Sequence, residues 1–404
     1  MKKTLLQRHC IHWIVFLYCS VFANLCSAQL NRHWAQLFNE EASLVAGSVV
    51  GGGAASSSIY YNPASISEFT DNRLAVNASL FTLQYYQATN ALGDEYDLTD
   101  FEFDVYPRFV AYIIESKKHP RRKMEVAILT KNNTNFRFED YIQQKVDVNS
   151  SLPGAENHIT GFSNRQRFNE TWAGLGSSHE INNTFSIGWS IFGIYKFMEY
   201  RNSQNIKVIP ETDSVRINGN WVPTYVSEIT EAEWFRINNY RALLKVGGLW
   251  NFDRWSLGWN LTSPSLLVFS GASEASFERT ATNIRTETGA LPQSSSYIEY
   301  QDNMHSDFKD PGSVAIGVTF KGDDANSVLS VSAEYFFELE TYKLLDASGS
   351  NGVSSNEILS NAGAAEPLTY VHGAKPVLVQ GHHFCLEDGW DQTERSKVRT
   401  FCPS

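Results

Sequence analysis

Residues 240–250 read Tyr-Arg-Ala-Leu-Leu-Lys-Val-Gly-Gly-Leu-Trp, residues 251–254 Asn-Phe-Asp-Arg, and residues 255–261 Trp-Ser-Leu-Gly-Trp-Asn-Leu. Tyr240, Ala242, Leu244, Val246, Gly248 and Trp250 fall on one face, opposite Arg241, Leu243, Lys245, Gly247 and Leu249. After the turn, Trp255, Leu257, Trp259 and Leu261 alternate with Ser256, Gly258 and Asn260. Alternation over about ten residues, with a tight turn bracketed by tryptophans, is the pattern of a transmembrane β-hairpin. An ordinary half-buried antiparallel pair alternates in the same way. Repetition along the chain has to decide between them.

The pattern repeats. Strands are predicted near Arg73–Gln87, Phe103–Ile114, Lys123–Lys131, Arg167–Ser178, Thr184–Tyr200, Trp234–Trp250, Trp255–Ser270, Ser313–Phe320, Val328–Leu339 and Pro367–Val379. The gaps after the second, fourth, sixth and eighth are short, and the others are longer and polar. Short turns at one end and long loops at the other fit a bacterial outer-membrane barrel. A Greek-key sandwich has no reason to keep that parity, although a secreted β-sandwich remains the rival. In Thr184–Tyr200, Phe185, Ile187, Trp189, Ile191, Gly193, Tyr195 and Phe197 are assigned to lipid. The other face carries Ser186, Gly188, Ser190 and Lys196 beside the apolar Phe192 and Ile194. With Leu243, these two offer an apolar lumen surface to cargo.

The beginning of the chain reads as an export signal. Lys2, Lys3 and Arg8 precede an apolar run from Ile11 to Leu25, with small residues at Ser27-Ala28, so residues 1–28 are set aside as a cleaved signal peptide. Without those three cations the formal net charge of −11 becomes −14, which argues against nucleic acid as a partner. Three of the five cysteines fall in the signal, and only Cys385 and Cys402 follow. A disulfide framework is therefore not expected. Aromatics make up 13% of a chain whose mean hydropathy is −0.29. A wet inner face and a greasy outer face would produce that combination.

Residues 46–58 are all glycine, alanine, serine or valine, and Ile59-Tyr60-Tyr61-Asn62-Pro63-Ala64 follows. Pro63 removes an N–H donor and holds Asn62 extended. Side chains alone cannot fill a wide barrel, so residues 29–70 suit a plug inside it; a flexible export linker is the alternative. Tyr61-Asn62-Pro63-Ala64 after a small-residue stretch, Leu261-Thr262-Ser263-Pro264 and Asp310-Pro311-Gly312 together resemble the FadL-type outer-membrane transporters of long-chain fatty acids and other hydrophobic compounds. Where that family reads Asn-Pro-Ala-Gly, this chain has Ser65. The resemblance covers about residues 40–380.

The resemblance implies an all-β, transmembrane antiparallel β-barrel of fourteen strands, plugged by an N-terminal hatch that carries Tyr61, Asn62, Pro63 and Ala64. It implies passive uptake of a fatty acid, or of haem-like or aromatic cargo, with release through a gap beside a kinked third strand. Asn132, Asn133 and Thr134 could form that kink, or could mark where the strand ends. Outer-membrane lipid and the barrel-assembly machinery are the further partners, and the bacterial outer membrane is the expected location. About ten strands are countable to Val379, so residues 71–380 read as an incomplete barrel. Residues 381–404 read as an aberrant tail, as after a frameshift or truncation near residue 380.

No catalytic constellation is apparent, and no cofactor or metal is expected. His179, His372, His382 and His383 lack a nucleophile at a recognisable spacing, and adjacent histidines diverge on extended chain. An outer-membrane lipid-modifying enzyme is the alternative of a different class. The basic run Lys117 to Lys123 reads as a solvated turn.

Overall fold

The computed structural model describes most of residues 47–346, except 70–72, 91–95, 116–117, 148–153, 218, 285–292 and 322–327. It also describes 37–38, 42, 353–354, 370–374, 377–380 and 399–400. The expected signal peptide and nearly all of the expected tail lie outside these residues.

The chain is all-β and its sheet is antiparallel through the main wall. Five long strands come first: β1 (Arg73–Ala88), β2 (Leu98–Glu115), β3 (Arg122–Val146), β4 (Glu156–Glu180) and β5 (Phe185–Ile209). A small hairpin of β6 (Ser214–Ile217) and β7 (Asn220–Pro223) precedes β8 (Ser227–Asn251). Then come β9 (Trp255–Thr262), β10 (Leu266–Ser270), β11 (Ser273–Ile284), β12 (Gln293–Ser306), β13 (Ser313–Lys321) and β14 (Val328–Phe336). The strands β15 (Leu339–Asp346), β16 (Val353–Ser354), β17 (Tyr370–Ala374) and β18 (Val377–Gln380) follow. The wall runs β1-β2-β3-β4-β5-β8-β9-β13-β14-β18, each strand paired with the next. No pairing of β1 with β18 is present among the described residues.

The structure corrects several sequence-based boundaries. β2 starts five residues before Phe103, β4 eleven before Arg167, and β5 runs nine past Tyr200. These extensions are mostly polar, and their few apolar residues, such as Leu98, Phe101 and Ile206, do not form one alternating set that would mark them. The strand expected over Trp255–Ser270 is interrupted at 263–265 and then continues, through β10 and β11, along the whole length of β8. β11 and β12 form a hairpin where the sequence pattern suggests a loop. Serine, threonine and glutamate alternate there without an apolar set, which hides the strands. β3 does not end near Lys131 either: it continues to Val146, with a register shift between Thr130 and Asn132.

The two faces of the wall separate sharply. On the strands nearest the middle, Trp189, Ile191 and Leu244 are 39%, 48% and 44% exposed, while Phe192, Ile194 and Leu243 are 0%, 2% and 3% exposed. Across β1, β2 and β3 the alternation changes phase part-way. In β2, Phe101, Phe103 and Val105 are exposed at odd positions, but Tyr112 and Ile114 are exposed at even ones. Register shifts between Asn77 and Ala78 and between Ser79 and Thr82 lie at the corresponding level of β1. A bulge inserts one unpaired residue and so exchanges the faces.

Candidate functional site

The N-terminal segment lies against the buried face of the wall. A one-turn helix α1 (Ser58–Tyr61) is followed by a 3₁₀ stretch, Pro63–Glu68, and the two are joined by Asn62 in extended conformation. The extended backbone is what a residue before proline adopts. Asn62 then acts as an N-cap: its Oδ1 accepts from Ala64 N at 3.1 Å. Its Nδ2 donates to Val50 O at 2.8 Å and to Gly248 O of β8 at 3.2 Å. One buried side chain thus ties together two parts of the segment and the wall.

The wall makes room by omitting side chains. A Cβ on Gly188 would overlap the Pro63 carbonyl, and one on Gly247 would overlap Asn62 Oδ1. These two glycines are cross-strand partners on β5 and β8. Serines complete the seat: Ser190 Oγ donates to Ile59 O at 3.0 Å, and Ser67 Oγ donates to Ser186 Oγ at 3.0 Å. Val50 N donates to Ser332 Oγ of β14 at 3.3 Å, and Ile59 N donates to Glu125 Oε2 of β3 at 3.2 Å. One short segment therefore reaches strands far apart in the wall. The small residues of the segment stand out in the sequence. Their counterparts on the strands do not, because glycine and serine in a strand pattern read as weak positions.

Tyr60, Tyr61, Trp172, Phe192, Ile194 and Leu243 meet in one buried apolar cluster with Phe38, Phe109 and Leu129. Tyr60 lies edge-on to Tyr61, with centroids 5.1 Å apart, and 5.7 Å from Trp172. Pro63 and Ala64 sit below it against β5. Burial pushes the Tyr60 phenol up to about 12. Lys245 enters the cluster from β8: its Nζ donates to Tyr60 O at 2.7 Å and stands 4.3 Å from the Tyr60 ring centre. No carboxylate lies within salt-bridge distance of Lys245 among the described residues. A cavity of about 30 Å³ lies among Tyr60, Lys131, Trp172, Leu243, Lys245 and Glu334.

One row further along the strands the interior becomes charged. Lys196 Nζ pairs with Asp310 Oδ1 at 2.6 Å and lies 4.0 Å from Glu170 Oε1. Glu170 also accepts from Trp172 Nε1 at 2.7 Å and from Asn132 Nδ2 at 2.7 Å, and pairs with Lys131 at 3.6 Å. Arg241 donates to Ser265 Oγ and Ser265 O, both at 2.7 Å, and pairs with Asp307. Beyond this layer a second apolar cluster contains Phe168, Met198, Phe235, Ile237, Phe308 and Leu344.

At the level of the charged layer the wall itself changes. The β2–β3 ladder runs from Glu115–Lys123 to Phe109–Leu129 and stops. Pro107, with no N–H, lies just beyond. Further along, side chains bridge the strands instead of backbone. Asn133 Nδ2 donates to Asp104 Oδ2 at 3.0 Å, Asn135 donates to Glu102, and Arg137 N donates to Asp100 Oδ2 at 2.7 Å. A cleft of about 280 Å³ there is lined by Glu102, Asp104, Asn133, Thr134, Asn135 and Arg167, among others. Asn132 points to Glu170 inside, and Asn133 to the break between the strands.

Among the described residues no group of three or more histidine, cysteine, aspartate and glutamate side chains is placed to hold a metal. His179 lies at the end of β4 and His372 in β17, while His382 and His383 are outside the described residues.

No family model and no curated protein matches the chain. Among solved structures it is similar to the Ralstonia pickettii toluene transporter TbuX, with 10% identity, 85% of this chain and 80% of that one covered, and a TM-score of 0.47. It is also similar to the P. putida toluene transporter TodX (9% identity, 79% and 96% covered, TM-score 0.32). A Pseudomonas aeruginosa FadL homologue follows (11% identity, 74% and 91% covered, TM-score 0.26). At TM-scores below 0.5 these likenesses carry no functional argument, which rests on the chain's own residues.

Proposed function

We propose that the chain is an outer-membrane barrel for the passive uptake of hydrophobic small molecules, with the N-terminal segment as its hatch and a long-chain fatty acid as its cargo. The observation that carries the reading is the apolar cluster around Tyr60, Trp172, Phe192 and Leu243, with the Lys245 cation at its edge. That cation donates to Tyr60 O and has no carboxylate in salt-bridge range among the described residues. Aromatic and aliphatic walls gain about 0.8 kcal/mol per methylene buried, and Lys245 gives a carboxylate headgroup a partner. The exposed apolar face of β5 and β8 supports lipid as the outer solvent. The charged layer bars a straight apolar route through the interior. The break between β2 and β3, at Asn133 and Asn135, is the proposed lateral exit.

Envelope fractionation tests the location, since recovery in soluble periplasm overturns the membrane reading. Cargo is tested by saturable binding of a fatty acid to detergent-purified protein. Lys245→Met is expected to weaken a fatty acid about tenfold while leaving an uncharged aromatic hydrocarbon unaffected. Equal weakening of both contradicts the headgroup assignment. Release of free fatty acid from a lipid ester by the purified protein would favour the enzyme alternative.

A further inference from the structure

The short-turn end carries a second, separate feature on the outward face. A cleft of about 620 Å³ is lined by His119, Arg122, His179, Ile187, Trp189 and Val246, with Ser177, Ser178 and Gly188 at its floor. Its geometry follows from register. Arg122 on β3 is the cross-strand partner of His179 on β4, and His179 is the partner of Ile187 on β5. One step further from the turn, Ser177 is paired with Trp189, and Trp189 with Val246 of β8. Ser177 Oγ is turned to Lys123 O at 3.1 Å, so on β4 this row presents only a small side chain beside Trp189.

Two independent observations fix the level of this cleft. Phe185 and Trp250 stack with centroids 4.7 Å apart, and Trp255 lies 4.6 Å from Phe320. All four sit at the ends of strands beside short turns. Such aromatic belts mark the boundary between hydrocarbon and headgroups. Phe185 lies two residues from Ile187, so Arg122 and His179 stand at headgroup height. Lys118 and Arg121 in the same turn are exposed and add positive charge. The nearest acidic side chain on β4, Glu180, is engaged by Lys123 at 3.6 Å.

We propose that this cleft binds one anionic phospholipid of the inner leaflet, an inference that rests on the membrane reading above. The Arg122 guanidinium holds the phosphate through its planar fork of donors, with His119 and His179 beside it. One acyl chain lies along Ile187, Trp189 and Val246 and continues onto the exposed Ile191 and Leu244. A basic end joined to an apolar trough matches the two-part chemistry of a phospholipid, where a soluble anion would use the basic end alone.

Native mass spectrometry of the detergent-purified full chain with added phosphatidylglycerol tests this. Heat-dependent gel mobility establishes that each variant is folded. The wild type is expected to retain one phosphatidylglycerol, and Arg122→Gln with His179→Gln to retain it at least tenfold less. Trp189→Ala is expected to weaken it while leaving any phosphate binding intact. Arg121→Gln, exposed but outside the cleft, is expected to bind like the wild type. Undiminished retention by the double variant overturns the proposal. So does equal loss in Arg121→Gln, which would mean diffuse attraction to a basic turn, or displacement by inorganic phosphate, which would mean a soluble-anion site. Failure of the membrane reading would show separately, as a chain that stays folded and monodisperse without detergent.

Discussion

The strands β4, β5 and β8 run 25 residues each, and their mutual ladders contain no register shift. Their counterparts further round the wall are cut at 263–265, 307–312 and 337–338. Both regions cross the same charged row, in which Glu170, Lys196 and Asn239 are cross-strand neighbours. The unbroken strands contribute only side chains to that row. The broken ones turn inward and add carboxylates and backbone: Asp310 to Lys196, and Asp307 with Ser265 to Arg241. A charge removed from water needs several partners at close range, and a regular ladder has no spare backbone to offer. The interruptions supply what regularity withholds.

The largest effect is expected at the regular strands, where the N-terminal segment lies against β5 and β8. Gly247→Val places branched carbon atoms where Asn62 stands, and should destabilise the folded chain by more than about 4 kcal/mol. Protease should then cut within residues 47–69 of the detergent-solubilised protein. A variant with wild-type melting and an uncut segment would mean the seat is looser than its contacts indicate.

Breaking the irregular side should be the next most severe change. Lys196→Ala leaves Asp310 and Glu170 buried without their common cation, at about 3–5 kcal/mol. Replacing Lys196 and Asp310 together by alanine should recover a good part of that loss in a denaturation series. Strict additivity of the two single changes would show that the pair is not coupled across the interruption.

How legible this was in the sequence differs between the same two regions. β5 and β8 can be assigned face by face from alternation, and Phe192, Ile194 and Leu243 lie on the buried face. The β11–β12 hairpin cannot, since its few apolar residues are scattered over both faces among polar ones and its ladder is fixed by neighbours far away in the chain. The phase change in β2 defeats alternation for another reason: a single bulged residue leaves each half regular and reverses their relation. Asn62 is legible through its proline. The glycines beneath it acquire meaning only once two strands and the segment are placed together.

A subtler change sharpens the comparison at the join. Asn62→Ala removes donors to Val50 O and Gly248 O and the cap on Ala64 N, at about 1–3 kcal/mol. The loss should appear as faster hydrogen exchange across 50–66, with β4 and β5 unchanged. Exchange spreading into those strands would mean that the N-terminal segment supports the wall as well as resting on it.

The smallest effect is one of pH. Burial raises the Tyr60 phenol to about 12 from an ordinary value near 10. Its neutral form is therefore the one the fold favours. Stability is full below pH about 10 and declines as pH rises through about 12, the direction for a raised pKa. Absorbance titration of tyrosinate, compared with Tyr60→Phe, isolates this step; an unchanged curve would place Tyr60 in contact with solvent.

Because β5 and β8 meet the N-terminal segment through bare backbone at Gly188 and Gly247, tolerance to change at these positions is one-sided. Gly188 and Gly247 have nothing left to give up, and every single substitution at either adds atoms to a space already filled. Variation there can only jam the fit. Inherited adjustment of how firmly the segment is held must therefore come from the segment's own side chains, or from the serines around it. In a collection of random variants, these glycine positions should be nearly empty while Ser190, Ser186 and Ser67 are populated by alanine.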